Sequence, residues 1–163
     1  MASYKTGDLF HGVEGVVNEM RLELPALSVN EGAARAMLAV FCAQADPTAT
    51  ELADIKCAVS EAVTNCIVHA YRDAVGSVKI HARILPGRRI RIEIKDTGCG
   101  IDDVKQAREP LYTTDAAGER SGMGFTVMES FMDSIDVASK VGSGTTVRMY
   151  KQILSGERAA KEA

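Results

Sequence analysis

From Val78 to Ile84 every second residue is apolar, and the same alternation returns at Ile90, Ile92 and Ile94 after a Pro86-Gly87 break. A period of two places these side chains on one face of a strand, so the two runs predict half-buried strands joined as a hairpin. Pro86-Gly87 supplies its turn. One apolar face must be covered, and the flanking sequence offers helices for that purpose. Ser28 and Glu31 have the S-x-x-E capping-box spacing ahead of an apolar-periodic run to Ala45, where Asp46-Pro47 interrupts it. Thr48 and Glu51 repeat the spacing and predict a long helix to about Tyr71. Upstream, Met20, Leu22 and Leu24 alternate in a short strand over Glu19–Leu24 that Pro25 stops. Downstream, a helix is predicted from Gly124 to about Met132. Ile135, Val137 and the run Thr145–Ile153 predict a last hairpin turned at Gly142, Ser143 and Gly144.

Hairpins with helices gathered between them give an α+β fold: a two-layer sandwich whose mixed, mostly antiparallel sheet carries its helices on one face. With 163 residues, one domain is expected, spanning 18–154. It is preceded by an N-terminal extension over 1–17 and followed by a polar tail over 155–163. Hydrophobic residues at 46% and charged residues at 25% exclude a disordered chain. A net charge of -3 offers no basic surface for direct nucleic-acid binding and no polybasic membrane signal. No apolar run reaches the roughly 20 residues of a membrane span, and the start lacks a secretory apolar core, so a cytoplasmic location is expected. Cys42, Cys57, Cys66 and Cys99 form no CxxC pair and no zinc-like spacing with histidine, and are expected as small buried or half-buried thiols.

Four motifs carry chemistry. Glu61, Asn65 and His69 lie four apart and share one face of the second long helix, as either a site or an ordinary solvated stripe. Asp96, Gly98, Gly100 and Ile101 follow the Ile90–Ile94 strand, as a carboxylate with glycines that admit a ligand or as a common turn. Arg120, Ser121, Gly122 and Gly124 enter a helix, where exposed N–H groups suit phosphate oxygens and Arg120 adds a charged donor fork. The alternative there is a glycine-rich hinge. Gly144, Thr145 and Thr146 open the last strand, as a hydroxyl facing a base or as ordinary β-branched residues.

Together, in this order, E-x-x-x-N, D-x-G-x-G, G-x-G and G-T-T resemble the box set of the GHKL, or Bergerat-fold, ATPases over about residues 20–153. The resemblance implies that Asn65 binds the Mg²⁺ that bridges the ATP phosphates. It implies that Asp96 accepts from the adenine amino group, with Gly98 and Gly100 shaping the pocket floor and Thr145 assisting at the adenine. It places Ser121, Gly122 and Gly124 near the phosphates, makes Ile101 to Gly122 the ATP lid, and lets Arg120 reach the terminal phosphate. Glu61 resembles the residue of the serine-kinase branch: a carboxylate that can accept the proton of a serine hydroxyl. His69 is expected to make a structural hydrogen bond.

The segments NEM at 18–20, EAVTN at 61–65, PLYTT at 110–114 and ERSGMGFTVME at 119–129 are similar to the anti-sigma-F factors, the sporulation branch of these kinases. That similarity implies a homodimer that sequesters a sigma factor of the sigma-F type. It implies displacement by a STAS-type anti-anti-sigma antagonist, which the kinase then phosphorylates on serine. Arg35 matches a partner-contacting position, and the Met20–Leu24 strand offers an edge for dimerisation. Asp115 to Gly118 is a small-residue departure within the lid. Two other readings stand beside this one: an ATP-gated anti-sigma binding module without kinase turnover, and a detached histidine-kinase catalytic domain, which Glu61 disfavours.

Overall fold

The computed structural model describes residues 15–71, 74–110 and 122–154. The alternating runs form five strands: β1 (Asn18–Pro25), β2 (Ser77–Leu85), β3 (Arg89–Lys95), β4 (Ser134–Lys140) and β5 (Gly144–Gln152). They lie in the order β1-β2-β3-β5-β4. All four pairings are antiparallel, so the sheet is not mixed. Each step follows from a hairpin or a return connection, and no βαβ crossover is needed to join neighbours. In register, Leu22, Ile80 and Ile94 face one another across β1, β2 and β3, and Val147 and Val137 continue the row through β5 and β4.

Helices cover that apolar face: α1 (Val29–Cys42), α2 (Ala49–Asn65), a one-turn α3 (Val104–Ala107) and α4 (Gly124–Phe131). Ile55, Val59, Ala62 and Val63 of α2 are buried with Leu38 and Phe41 of α1, Met128 of α4 and the isoleucines of β2 and β3 in one core. The opposite face is a lattice of charge. Arg148 pairs with Glu93 at 2.8 Å and with Asp136 at 3.0 Å. His81 Nε2 lies 2.8 Å from Glu19.

Local chemistry departs from the sequence reading in five places. The Thr48–Glu51 capping box is complete, but Ser28 makes no side-chain cap. Glu31 instead accepts from the Ser60 hydroxyl of α2 at 2.6 Å and pairs with Arg35 at 3.7 Å, because a tertiary donor outcompetes the local one. The apolar run to Ala45 is α-helical only to Cys42 and closes in a 3-10 turn before Asp46, whose φ of 55° ends it. The second helix, read to Tyr71, leaves α geometry at Asn65 and winds as a π turn over Cys66–Ala70. Finally, the segment read as a lid begins as packed structure: Val104 of α3 is buried, and Arg108 binds Glu129 of α4 at 2.8 Å. Of the thiols, Cys42 and Cys66 are buried and Cys99 is half-buried, but Cys57 is exposed. Burial pushes the Cys42 thiol up to about 12.

Candidate functional site

The core-facing columns of three strands end in polar residues at one end of the sheet. Ile90, Ile92 and Ile94 of β3 lead to Asp96, Met149 and Val147 of β5 lead to Thr145, and Ile135 and Val137 of β4 lead to Ser139. Thr145 and Ser139 are direct partners across the β4–β5 pair. Asp96 is brought beside Thr145 by its own N–H, which donates to the Thr145 carbonyl at 2.9 Å.

Asp96 is a charged residue only 4% exposed. Such a group needs partners, and backbone donors supply them: its Oδ1 accepts the Gly98 N–H at 2.9 Å and the Thr145 N–H at 3.2 Å. A carboxylate has lone pairs beyond these two bonds, so acceptor capacity remains for a ligand donor. The thiol of Cys66, from the π turn, lies against the same carboxylate. Burial first, then the Asp96 charge and a hydrogen bond to it, push that thiol's pKa upward.

The end of the π turn anchors the loop after β3. This turn is the last of the helix, so the carbonyls of His69 and Ala70 have no partner within it. The Cys99 N–H donates to Ala70 at 2.8 Å and the Cys99 thiol to the His69 carbonyl at 3.1 Å. Gly98 is required there because a Cβ would collide with the Ala70 carbonyl. From the other side the β4–β5 turn closes on the loop: Gly142 N–H donates to Cys99 O and Ile101 N–H to the Ser139 hydroxyl, both at 2.8 Å. Gly100 adopts a φ of 74° against Lys140. Tyr71 fixes the entry, its hydroxyl donating to the Ser77 carbonyl at 2.8 Å and accepting the Thr97 N–H at 3.0 Å.

Glu61 and Asn65 stand one turn apart on α2, and α4 begins against them. A methyl group on Gly124 would lie 3.2 Å from Glu61 Oε2 and 3.4 Å from the Asn65 amide. Gly124 therefore lets a helix start come close to both side chains, while Gly122, two residues before, turns with a φ of 64°. The site thus has two parts that adjoin along one helical segment: Asp96, Thr145 and Cys66 in one, and Glu61, Asn65 and the start of α4 in the other.

Of the residues selected from sequence, the structure brings Glu61 and Asn65 to Gly124 and brings Asp96 to Gly98 and Thr145, with Gly100 in the same loop as Gly98 and Gly122 two residues ahead of α4. Arg35 lies on α1, which contributes nothing to this cluster. Arg120 and Ser121 lie outside the described residues. Two residues were missed. Ser139 had a signal, since the alternation Ile135, Val137 requires an apolar residue where serine stands. Cys66 had none, because a cysteine on a buried helix face reads as core. Among the described residues no group of three His, Cys, Asp or Glu is arranged to hold a metal ion. Among the described residues no helix is long and apolar enough to cross a membrane.

A family model of the histidine kinase-like ATPase domain matches residues 24–151. An anti-sigma F factor of Caldanaerobacter subterraneus subsp. tengcongensis is 54% identical over 136 residues, covering 83% of this chain and 94% of that protein. One of Thermoanaerobacter sp. strain X514 is 52% identical over the same length, with coverages of 83% and 94%. Among solved structures, the RsbU and RsbW domains of Rv1364c from Mycobacterium tuberculosis superpose with a TM-score of 0.63 at 19% identity. That match covers 84% of this chain but 33% of the longer protein, and it speaks for the fold alone. With half its aligned residues shared and residues 24–151 matched by the family model, the chain belongs to the anti-sigma F factor family of histidine kinase-like ATPase domains.

Proposed function

We propose that this chain is a cytoplasmic, ATP-dependent serine protein kinase that also sequesters a sigma factor of the sigma-F type. Its phosphate acceptor is a serine of a STAS-type anti-anti-sigma antagonist. The observation that carries the reading is the meeting of Glu61 and Asn65 at the start of α4, opposite a buried Asp96 with acceptor capacity to spare.

The residues fit ATP at both ends. Asp96 supplies an acceptor for the adenine amino group, and the loop pinned to Ala70 supplies a glycine floor. The start of α4 directs N–H groups and the positive end of the helix dipole to where phosphates would lie. Mg²⁺ fits as a companion of the nucleotide, since it favours phosphate oxygens plus one or two protein oxygens over a dedicated cage. Asn65 is the ligand assigned to it. Arg120 is assigned to the terminal phosphate and Ser121, Gly122 and Gly124 to its surroundings.

In the transfer the serine oxygen of the antagonist bonds to the terminal phosphorus as the bond to the leaving phosphate oxygen breaks, giving phosphoserine and ADP. Glu61 accepts the serine proton, a role supported by its place one turn from Asn65 at the start of α4. Arg35, half-exposed and tethered to Glu31, is assigned to partner contact. The β1 edge of the sheet is assigned to the homodimer, because β1 has a strand neighbour on one side only.

The test is transfer of labelled phosphate from Mg²⁺-ATP to the STAS-type antagonist, with Glu61→Gln alongside. The carboxamide keeps the shape but cannot take the proton, so acid-stable label should appear with the parent and fall at least a hundredfold in the variant. Undiminished transfer by Glu61→Gln would remove Glu61 as the base. ATP binding without any transfer would favour a nucleotide-gated binding module.

A further inference from the structure

Ser139 occupies a position where one proton decides what the adjacent pocket can recognise. Its hydroxyl has one hydrogen to give and two lone pairs to receive. One lone pair accepts the Ile101 N–H at 2.8 Å. The hydrogen has two acceptors within reach, the Gly144 carbonyl at 3.1 Å and Thr145 Oγ1 at 2.8 Å. Hydroxyl-to-oxygen bonds run from about 2.5 to 3.0 Å with a mode near 2.7–2.8 Å. The Thr145 contact falls at that mode, and the Gly144 contact lies outside the range.

The direction of the Ser139–Thr145 bond matters because Thr145 has a single hydrogen too. If Thr145 donates to Ser139, Ser139 must use the long contact to Gly144, and Thr145 shows the pocket lone pairs alone. If Ser139 donates to Thr145, the Thr145 hydrogen is released to the pocket. Beside it stands Asp96, an obligate acceptor whose Oδ1 is already tied to the Thr145 N–H at 3.2 Å. The protein then offers an acceptor next to a donor.

We propose that Ser139 is a specificity-determining positioning residue that polarises Thr145, so that the Asp96–Thr145 pair accepts adenine and rejects six-oxo purines. The inference rests on the ATP reading of the site. Adenine presents a donor amino group at N6 beside an acceptor at N1, which complements acceptor plus donor. Guanine and hypoxanthine present an acceptor at O6 beside an N1–H donor, the reverse on both atoms. A buried site built for one polarity rejects the other because its own groups are left unpaired. Ser139 need not touch the base. It acts through Thr145, directly or through one water between that hydroxyl and N1.

The experiment compares Mg²⁺-ATP and Mg²⁺-ITP binding by calorimetry, since hypoxanthine differs from adenine only along this edge. In the parent, ATP should bind at least a hundredfold more tightly. Ser139→Ala should narrow the ratio at least tenfold, mostly through lost ATP affinity, and Ser139→Thr, which keeps the hydroxyl, should restore it. Thr145→Val provides a second route, because it leaves the Ser139–Ile101 bond in place and removes the reading group. It should narrow the ratio as much, with no further change when Ser139→Ala is added.

A purely structural Ser139 would lower ATP and ITP affinity by the same factor, and an unchanged ratio in Ser139→Ala or in Thr145→Val overturns the proposal. If the parent binds neither nucleotide, the ATP reading itself falls and takes this one with it.

Discussion

A single carboxylate, Asp96, places a buried acceptor at the end of an ordinary isoleucine strand. It sits one step beyond Ile94, on the core side, where another isoleucine would have continued the packing. Two backbone N–H groups hold one oxygen in place, so its direction is fixed before any ligand arrives, and little ordering cost remains at binding. On the proposed ATP reading, Asp96→Asn keeps the volume but presents an amide that can turn a donor toward the adenine amino group. ATP affinity is expected to fall at least a hundredfold by calorimetry, about 2.7 kcal/mol, with far-UV circular dichroism unchanged. The same residue shows what a sequence can reveal. Asp96, Gly98 and Gly100 stood out because aspartate and glycine break an alternating pattern in a fixed order. Ser139 broke the β4 alternation just as plainly, but a lone serine at a strand end also fits an ordinary turn, and its partner Thr145 is set by register rather than by order.

At the scale of elements, two identical-looking capping boxes have different fates. Thr48 accepts the Glu51 N–H at 3.2 Å and Glu51 returns a bond to the Thr48 N–H at 2.8 Å, whereas Ser28 caps nothing. Thr48→Ala is expected to cost about 1 kcal/mol in urea unfolding, and Ser28→Ala a few tenths at most. A larger effect at Ser28 would show that the box forms in solution. The motif was visible in both places; what chose between them was Ser60, twenty-nine positions from Glu31 and brought to it only by the packing of α1 on α2. Glu51 also binds the Leu154 N–H at 2.8 Å, tying the chain beyond β5 to the start of α2.

Burial raises the Glu51 pKa, but the bonds from Leu154 and Thr48 and the charge of Lys151 outweigh it and hold the carboxyl below its ordinary value. A lowered folded-state value means the unfolded chain binds the proton more tightly. The stabilisation is therefore complete above the unfolded value near 4.5 and is lost as pH falls through the lowered one. Glu51→Gln is expected to be less stable at neutral pH and to lose less stability than the parent between about pH 5 and pH 3, in thermal melts across that range. The π turn belongs to this scale too. Nothing in the stretch 66–70 announces it, since none of these residues is a glycine or proline.

For the whole molecule, the sheet is the frame and its two faces do different work. Periodicity made the five strands, their hairpins and the helical cover legible, since burial on one face leaves a period of two whatever the details. It left the outer face obscure, because alternating charges on solvent-facing positions look alike whether or not they pair. There, Arg148 stands between Glu93 and Asp136 on neighbouring strands, and the two carboxylates together outweigh the burial that would otherwise lower its affinity for a proton. Arg148→Ala leaves two partly buried carboxylates without their shared partner. It is expected to cost about 1–3 kcal/mol in denaturant unfolding, with part of the loss recovered on acidification. An effect below about 0.5 kcal/mol would mark the lattice as solvated decoration.

The helix that leaves α geometry at Asn65 also joins the two parts of the site. Asn65 and Cys66 are consecutive residues, yet one meets the start of α4 and the other meets Asp96. Both parts therefore share one piece of backbone, and a shift of that helical segment would move the start of α4 and the Asp96 loop together, not one without the other.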